Sequence, residues 1–231
     1  MHTLARGAPH HEPANRFESM ELHMTELERD IIREILNIGL ARAADSFAVI
    51  AQEKVLLEVP NLDLVTAESV IETVRQYETS HRIIQSDIRG DFNGTTLMLF
   101  SGQHVQRLSK VCLRMDVPES IDINEMQESL LLEMSNIITG ALVTQLANIL
   151  KAHIYGAPPA ASNGDVTISL NSLISHNPGF QPLIFSVITQ FSDQNSSVEL
   201  PLMLFFDRAT FVKILEIIRG YNFLDTQSAG A

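Results

Sequence analysis

Between Met24 and about Gln52, apolar residues recur at helical spacing: Leu27, Ile31, Ile32, Ile35, Leu36, Ile38, Ala43 and Phe47 cover most of one predicted helix. Asp30, Glu34, Asn37 and Ala41 interrupt them at i, i+4, i+7 and i+11, and at about 100° per residue these four share one narrow wedge. The same arrangement returns between about Asn124 and Ala152. There Leu130, Leu131, Leu132, Met134, Ile137, Ile138, Leu142 and Leu146 surround a wedge of Ser129, Glu133, Asn136 and Gly140. A helix that is apolar on most sides and polar along one thin stripe presents that stripe. One such Glu/Asn pair on an amphipathic helix is commonly no more than a solvated face. Here, however, Pro60 follows Asn37 and Pro159 follows Asn136, each after 22 intervening residues, and the copies are offset by 99 residues. A duplication that keeps a distal proline in register points to a repeated structural unit.

The remaining pattern predicts a strand over Lys54–Val59 and a short helix over Thr66–Arg75 capped by Thr66. Strands over Arg82–Arg89 and Thr95–Phe100 are joined as a hairpin through Gly90-Asp91-Phe92-Asn93-Gly94, in which Asn93-Gly94 is the tight-turn signal, and a helix capped by Ser101 follows to about Arg114. In the second half, a short strand near His153–Tyr155 precedes a turn-rich stretch, Gly156–Gly164, and a candidate strand, Val166–Leu170. Leu183–Phe191 and Ser197–Phe206 form a second hairpin through Ser192–Asn195, and Asp207 opens a last helix to Gly220. Leu97-Met98-Leu99-Phe100 recurs as Leu202-Met203-Leu204-Phe205 at an offset of 105, which suggests six extra residues in the second half. Thr25 and Glu28 have the form of a capping box at the first helix.

Together these elements predict an α+β fold: a pseudo-two-fold duplicated domain with an antiparallel β-sheet and two long, adjacent, motif-bearing helices. Residues 1–20, rich in Pro, Ala, Asn and His, read as a flexible tail. Residues 21–231 read as a single domain of two repeats, about 24–118 and 124–225.

Composition narrows the function. The 231 residues carry 16 basic and 28 acidic side chains, a net charge of −12, with no Lys/Arg run, which argues against a nucleic-acid partner. The lone Cys112 lies in an apolar helical context and cannot form an internal disulfide; packing is the expected role and a reducing cytoplasm the expected compartment. The N-terminus lacks a secretory pattern. The most apolar stretch, Asn136–Leu150, is interrupted by Thr139, Gly140, Thr144, Gln145 and Asn148 and reads as too short to span a membrane. His10 and His11 in the tail, and the scattered His81, His104, His153 and His176, have no metal-ligand spacing, and no phosphate loop, dinucleotide fingerprint or nucleophile elbow occurs.

The pattern Asp/Ser, three residues, Glu, two residues, Asn, 22 residues, Pro resembles the signature of the CheC/CheX/FliY family of response-regulator phosphatases. The resemblance covers about residues 24–225, and two complete motifs in one chain make it most similar to the CheC type. It implies hydrolysis of the aspartyl phosphate of a CheY-like regulator in bacterial chemotaxis. Glu34 with Asn37 and Glu133 with Asn136 are the implied catalytic pairs; Asp30, Ser129, Pro60, Pro159, Ala41 and Gly140 are motif-supporting. The family often has glycines two and four residues past the Asn, whereas here the first copy has Gly39 and Ala41 and the second Ile138 and Gly140. Unequal sites are therefore expected, with the second slightly favoured because Gly140 leaves more room for a partner. The implied chemistry needs no cofactor or metal bound by this chain, since Mg²⁺ comes with the regulator. CheC-like proteins commonly pair with the deamidase CheD, a further implied partner that no residue here encodes. Related folds in the flagellar motor switch bind CheY without hydrolysis, so a non-catalytic docking module is the alternative.

Overall fold

The computed structural model describes residues 24–59, 61–74, 80–120, 122–177, 179–191 and 196–220. The predicted tail over residues 1–20, the turn Ser192–Asn195 and Pro60 lie outside the described residues. The first half contains α1 (Glu26–Ala51), β1 (Val55–Glu58), β2 (Leu62–Leu64), α2 (Ala67–Val74), β3 (Ser80–Gly90), β4 (Gly94–Phe100) and α3 (Gly102–Cys112). The second contains α4 (Glu125–Leu150), β5 (Ile154–Gly156), β6 (Ala160–Asp165), α5 (Val166–His176), β7 (Phe180–Phe191), β8 (Ser196–Asp207) and α6 (Arg208–Gly220). The succession of helices and strands is the same in both.

The long helices start for the same local reason. Thr25 accepts from the Glu28 N–H at 3.2 Å while the Glu28 carboxylate accepts from the Thr25 N–H at 2.7 Å, and Asn124 and Gln127 make the same reciprocal pair at 2.9 Å each. Both helices end in a left-handed residue, Gln52 at φ 55° and Lys151 at φ 50°. Starts and ends thus keep the 99-residue offset of the motif.

Among the described residues, eight strands join one antiparallel sheet. Its main order is β1-β7-β8-β4-β3-β5, with β2 also on β7 and β6 also on β3. The short strands of each half pair with the hairpin of the other, so neither half completes its own sheet edge. At the centre, Leu97 of β4 stands opposite Met203 of β8. Their separation, 106 residues, equals that between the helix caps Ser101 and Asp207, which accept from the N–H groups of His104 and Thr210. Leu97 and Met203 are therefore both neighbours and repeat equivalents, and the pseudo-two-fold axis passes between them.

Strand alternation divides the core in two. Met98, Phe100, Leu202, Leu204 and Phe206 pack with the buried residues of α1, α3, α4 and α6, while Leu97, Leu99, Met203 and Phe205 pack with Val70 of α2 and with Val166 and Leu170 of α5. The repeated Leu-Met-Leu-Phe is thereby out of phase, since Leu97 and Leu202 face opposite layers. The structural offset is one residue longer than the tetrapeptide match suggests, and seven residues rather than six are extra.

Three expectations are corrected. Val166–Leu170 is helical: the Asp165 carboxylate accepts from the Thr167 N–H at 2.7 Å and the Ile168 N–H at 3.2 Å, an N-cap that outweighs the strand preference of Val, Thr and Ile. Within the turn-rich Gly156–Gly164, residues from Ala160 onward form β6, because β3 offers a partner edge. The apolar stretch read as too short to span a membrane belongs to a 26-residue helix, α4, which is long and apolar enough by length and composition. Eleven of its residues are buried in the protein core, including Leu131, Met134, Ile138 and Leu142, which accounts for its hydropathy without a membrane.

Candidate functional site

The two motif helices lie side by side above the sheet, and their close approach is set by Gly39. A Cβ on that residue would stand 3.2 Å from both the Ala141 carbonyl oxygen and the Gln145 Cβ. Gly140, by contrast, has nothing within 4 Å of where its Cβ would lie. The glycines of the two motifs thus do different things: Gly39 admits the neighbouring helix, whereas Gly140 opens the outer surface.

The stripe faces outward in both copies. Asp30, Glu34 and Ala41 are exposed, as are Ser129, Glu133, Asn136 and Gly140, while Asn37 is half-buried. Beneath them Ile32, Leu36, Leu40, Ala43 and Phe47 of α1, and Leu131, Leu142 and Leu146 of α4, are in the core. Leu27 and Ile38, expected on the apolar circumference, are 53% and 44% exposed; they widen the outward face of α1 beyond the polar wedge.

The first motif position does not touch the Glu in either copy. Asp30 is paired with Arg33 at 2.9 Å, and the Ser129 hydroxyl donates to the Glu125 carbonyl at 2.7 Å. Each is spent within its own helix.

The Asn positions differ. The Asn37 Oδ1 accepts a hydrogen bond from the Val59 backbone N–H at 2.7 Å. An N–H can only donate, so this contact also decides which branch of the carboxamide faces the loop. The residue 99 positions after Val59 is Pro158, which has no N–H to give. Among the described residues nothing hydrogen-bonds the Asn136 carboxamide. The Pro158–Pro159 segment is instead fixed to the sheet at Ala157, whose N–H donates to the Asp87 carbonyl at 2.7 Å and whose carbonyl accepts from the Ser86 hydroxyl at 2.6 Å. Pro159 is half-buried, and the matching Pro60 lies outside the described residues. The Val59 amide escaped the sequence reading, although the contrast between Val59-Pro60 and Pro158-Pro159 is visible once the offset is known.

Other chemistry is poorly supported. Cys112 is half-buried, and burial, with the Glu53 charge adding and Arg114 opposing, pushes its thiol up to about 12, so it carries no thiolate at neutral pH. Among the described residues no group of three His, Cys, Asp or Glu could hold a metal. A cleft of about 690 Å³ is lined by Asp87, Arg89, Thr95, Ser169 and His176, on the α5 side of the sheet away from the stripes. The stripes form an open surface, suited to a macromolecular face rather than to an enclosed small molecule.

The model of the CheC-like family matches residues 126–162, a span that includes Ser129, Glu133, Asn136 and Pro159. The chain is 25% identical over 139 residues to the CheY-P phosphatase CheC of Bacillus subtilis (strain 168), covering 59% of this chain and 66%, just under two thirds, of that relative. In fold it is similar to Thermotoga maritima FliY, with a TM-score of 0.69 at 16% identity over 86% of this chain and 99% of that one. It is also similar to the FliM–SpeE complex structure from H. pylori, with a TM-score of 0.62 at 9% identity over 87% of this chain and 99% of that one.

Proposed function

We propose that this chain, a member of the CheC-like family, hydrolyses the aspartyl phosphate of a CheY-like response regulator, with Glu34/Asn37 and Glu133/Asn136 as its two working pairs. The observation that carries this reading is the outward presentation of the same Glu/Asn stripe on two adjacent helices, each backed by core. The likeness to the CheY-P phosphatase CheC of Bacillus subtilis adds to it.

The substrate is an acyl phosphate already held by the regulator's own Mg²⁺ and lysine. The partner's task is positioning. A water oxygen attacks phosphorus in line, the bond from phosphorus to the aspartate oxygen breaks, and inorganic phosphate and a free carboxylate result. An Asn carboxamide suits this because it has donors for a phosphoryl oxygen and an acceptor for a water proton. A Glu one helical turn away suits a charge-assisted contact with the regulator's lysine, which sets the docking register. Mg²⁺ enters with the regulator, and this chain supplies no cofactor. A cytoplasmic setting follows from such a partner, and CheD is a second partner to be tested by co-purification.

The deciding experiment measures decay of phosphorylated regulator with this protein at substoichiometric concentration. Many turnovers per chain are expected. Protection of the phosphate, or a single stoichiometric event, would instead support the docking module.

A further inference from the structure

Asn37 and Asn136 occupy equivalent places, but their surroundings supply different polar partners. The Val59 N–H reaches the Asn37 Oδ1 at 2.7 Å, and the equivalent backbone position on the other side is Pro158. We infer that the Val59 amide is a positioning group for Asn37, and that Pro158 withholds the same constraint from Asn136, so that one site presents a fixed carboxamide and the other a freely rotating one. This rests on the phosphatase reading above.

The argument is chemical. A carboxamide has one carbonyl oxygen with two lone pairs and one NH₂ with two donors. With one Oδ1 lone pair occupied by Val59, the plane of the Asn37 amide is set, its NH₂ is turned away from the loop, and a second lone pair remains for a water proton. Asn136, exposed and without this bond, can present either branch and must be ordered when the regulator docks. Ordering one such side chain at an interface corresponds to roughly 2- to 10-fold in rate. The second site's loop is not left loose. Ser86 and Asp87 hold Ala157, so what differs is the bond to the Asn and not the anchoring of the loop.

The test has two arms. In the first, hydrogen exchange of the Val59 amide is compared in the wild type, Asn37→Ala and Asn37→Asp. The aspartate keeps an acceptor and the alanine does not, so exchange at least about tenfold faster in Asn37→Ala alone is expected. In the second arm, Pro158→Val, with Pro158→Ala as a smaller alternative, supplies an N–H in a chain whose first site is silenced by Asn37→Ala. Its kcat should rise by roughly 2- to 10-fold with KM nearly unchanged, a split that a merely structural effect on the loop would not produce. Equal Val59 exchange in all three chains, or an unchanged kcat in both Pro158 variants, overturns the proposal while leaving the phosphatase reading standing. A wild-type chain with no turnover overturns both.

Discussion

Glu28 in the first turn of α1 is ion-paired with Arg219 in the last turn of α6, joining residues 191 positions apart. Burial works against ionisation of Glu28, but the Arg219 guanidinium and the Thr25 N–H and hydroxyl outweigh it and hold the carboxyl below its ordinary range. The equivalent place in the second repeat has Gln127, which is uncharged and donates to the Ser109 hydroxyl at 3.1 Å. The pseudo-symmetry is therefore kept in the capping of the two long helices and broken in charge.

A Glu28→Gln variant keeps a capping-box side chain and removes the charge. Because Arg219 is 55% exposed, solvent screens the pair, and a loss of about 0.5–1 kcal/mol is expected. A group with a lowered folded pKa stabilises fully above its unfolded value, about 4.3 for Glu, and loses that contribution as pH falls through the lower folded value. Denaturant titrations should show a constant difference between wild type and Glu28→Gln from about pH 6 to 8, shrinking below about pH 4. A difference that grows on acidification contradicts the assignment.

Replacing both Asn37 and Asn136 by Ala should reduce turnover by about 10²-fold or more, since the positioning of water is lost at both sites. Each single variant should keep the share of the other site. Near-complete loss in either single variant would show one composite site rather than two.

Comparing the single variants at two substrate levels separates access from preorganisation. Gly140, open to solvent, should give the second site the lower KM, and the Val59 bond should give the first the higher kcat. Asn136→Ala is thus expected to cost more under limiting phosphorylated regulator, and Asn37→Ala more at saturation. The opposite order in initial-rate curves rejects this division.

Truncating Glu34 or Glu133, each in a chain whose other site is silenced, should raise KM more than it lowers kcat, as expected for groups that set docking register. A fall in kcat alone would move the Glu into the chemical step.

The two glycines make opposite predictions. Gly39→Val, pressed against Ala141 and Gln145, should destabilise by about 1–3 kcal/mol, as overpacked helix contacts do. Gly140→Ala meets nothing and gains helix propensity, so stability should rise by up to about 1 kcal/mol, while capture of the regulator at the second site weakens if that surface admits it. Thermal melts together with KM measurements check both.

The local code sufficed for much of this protein. The box at Thr25, the start of α4 at Asn124, the caps at Ser101 and Asp207 and the outward stripe of α1 and α4 depend on spacings of two to four residues, which a single sequence carries in full. The hairpin of β3 and β4 followed as well, but not through a tight turn at Asn93-Gly94: the left-handed glycine is Gly90, at φ 125°, and Gly94 is already paired in β4 opposite Ile88. The α+β class followed from those elements. What lay beyond it depended on partners distant along the chain. β6 became a strand because β3 offered an edge, and the phase of Leu97 against Leu202 was set by which layer each strand side met. The separate tasks of Gly39 and Gly140 depended on where the other long helix lay. The Val59 amide reached Asn37 only because the chain turned back 22 residues later, and Pro158 left its counterpart unbound; a backbone donor leaves no mark in side-chain pattern until folding aims it.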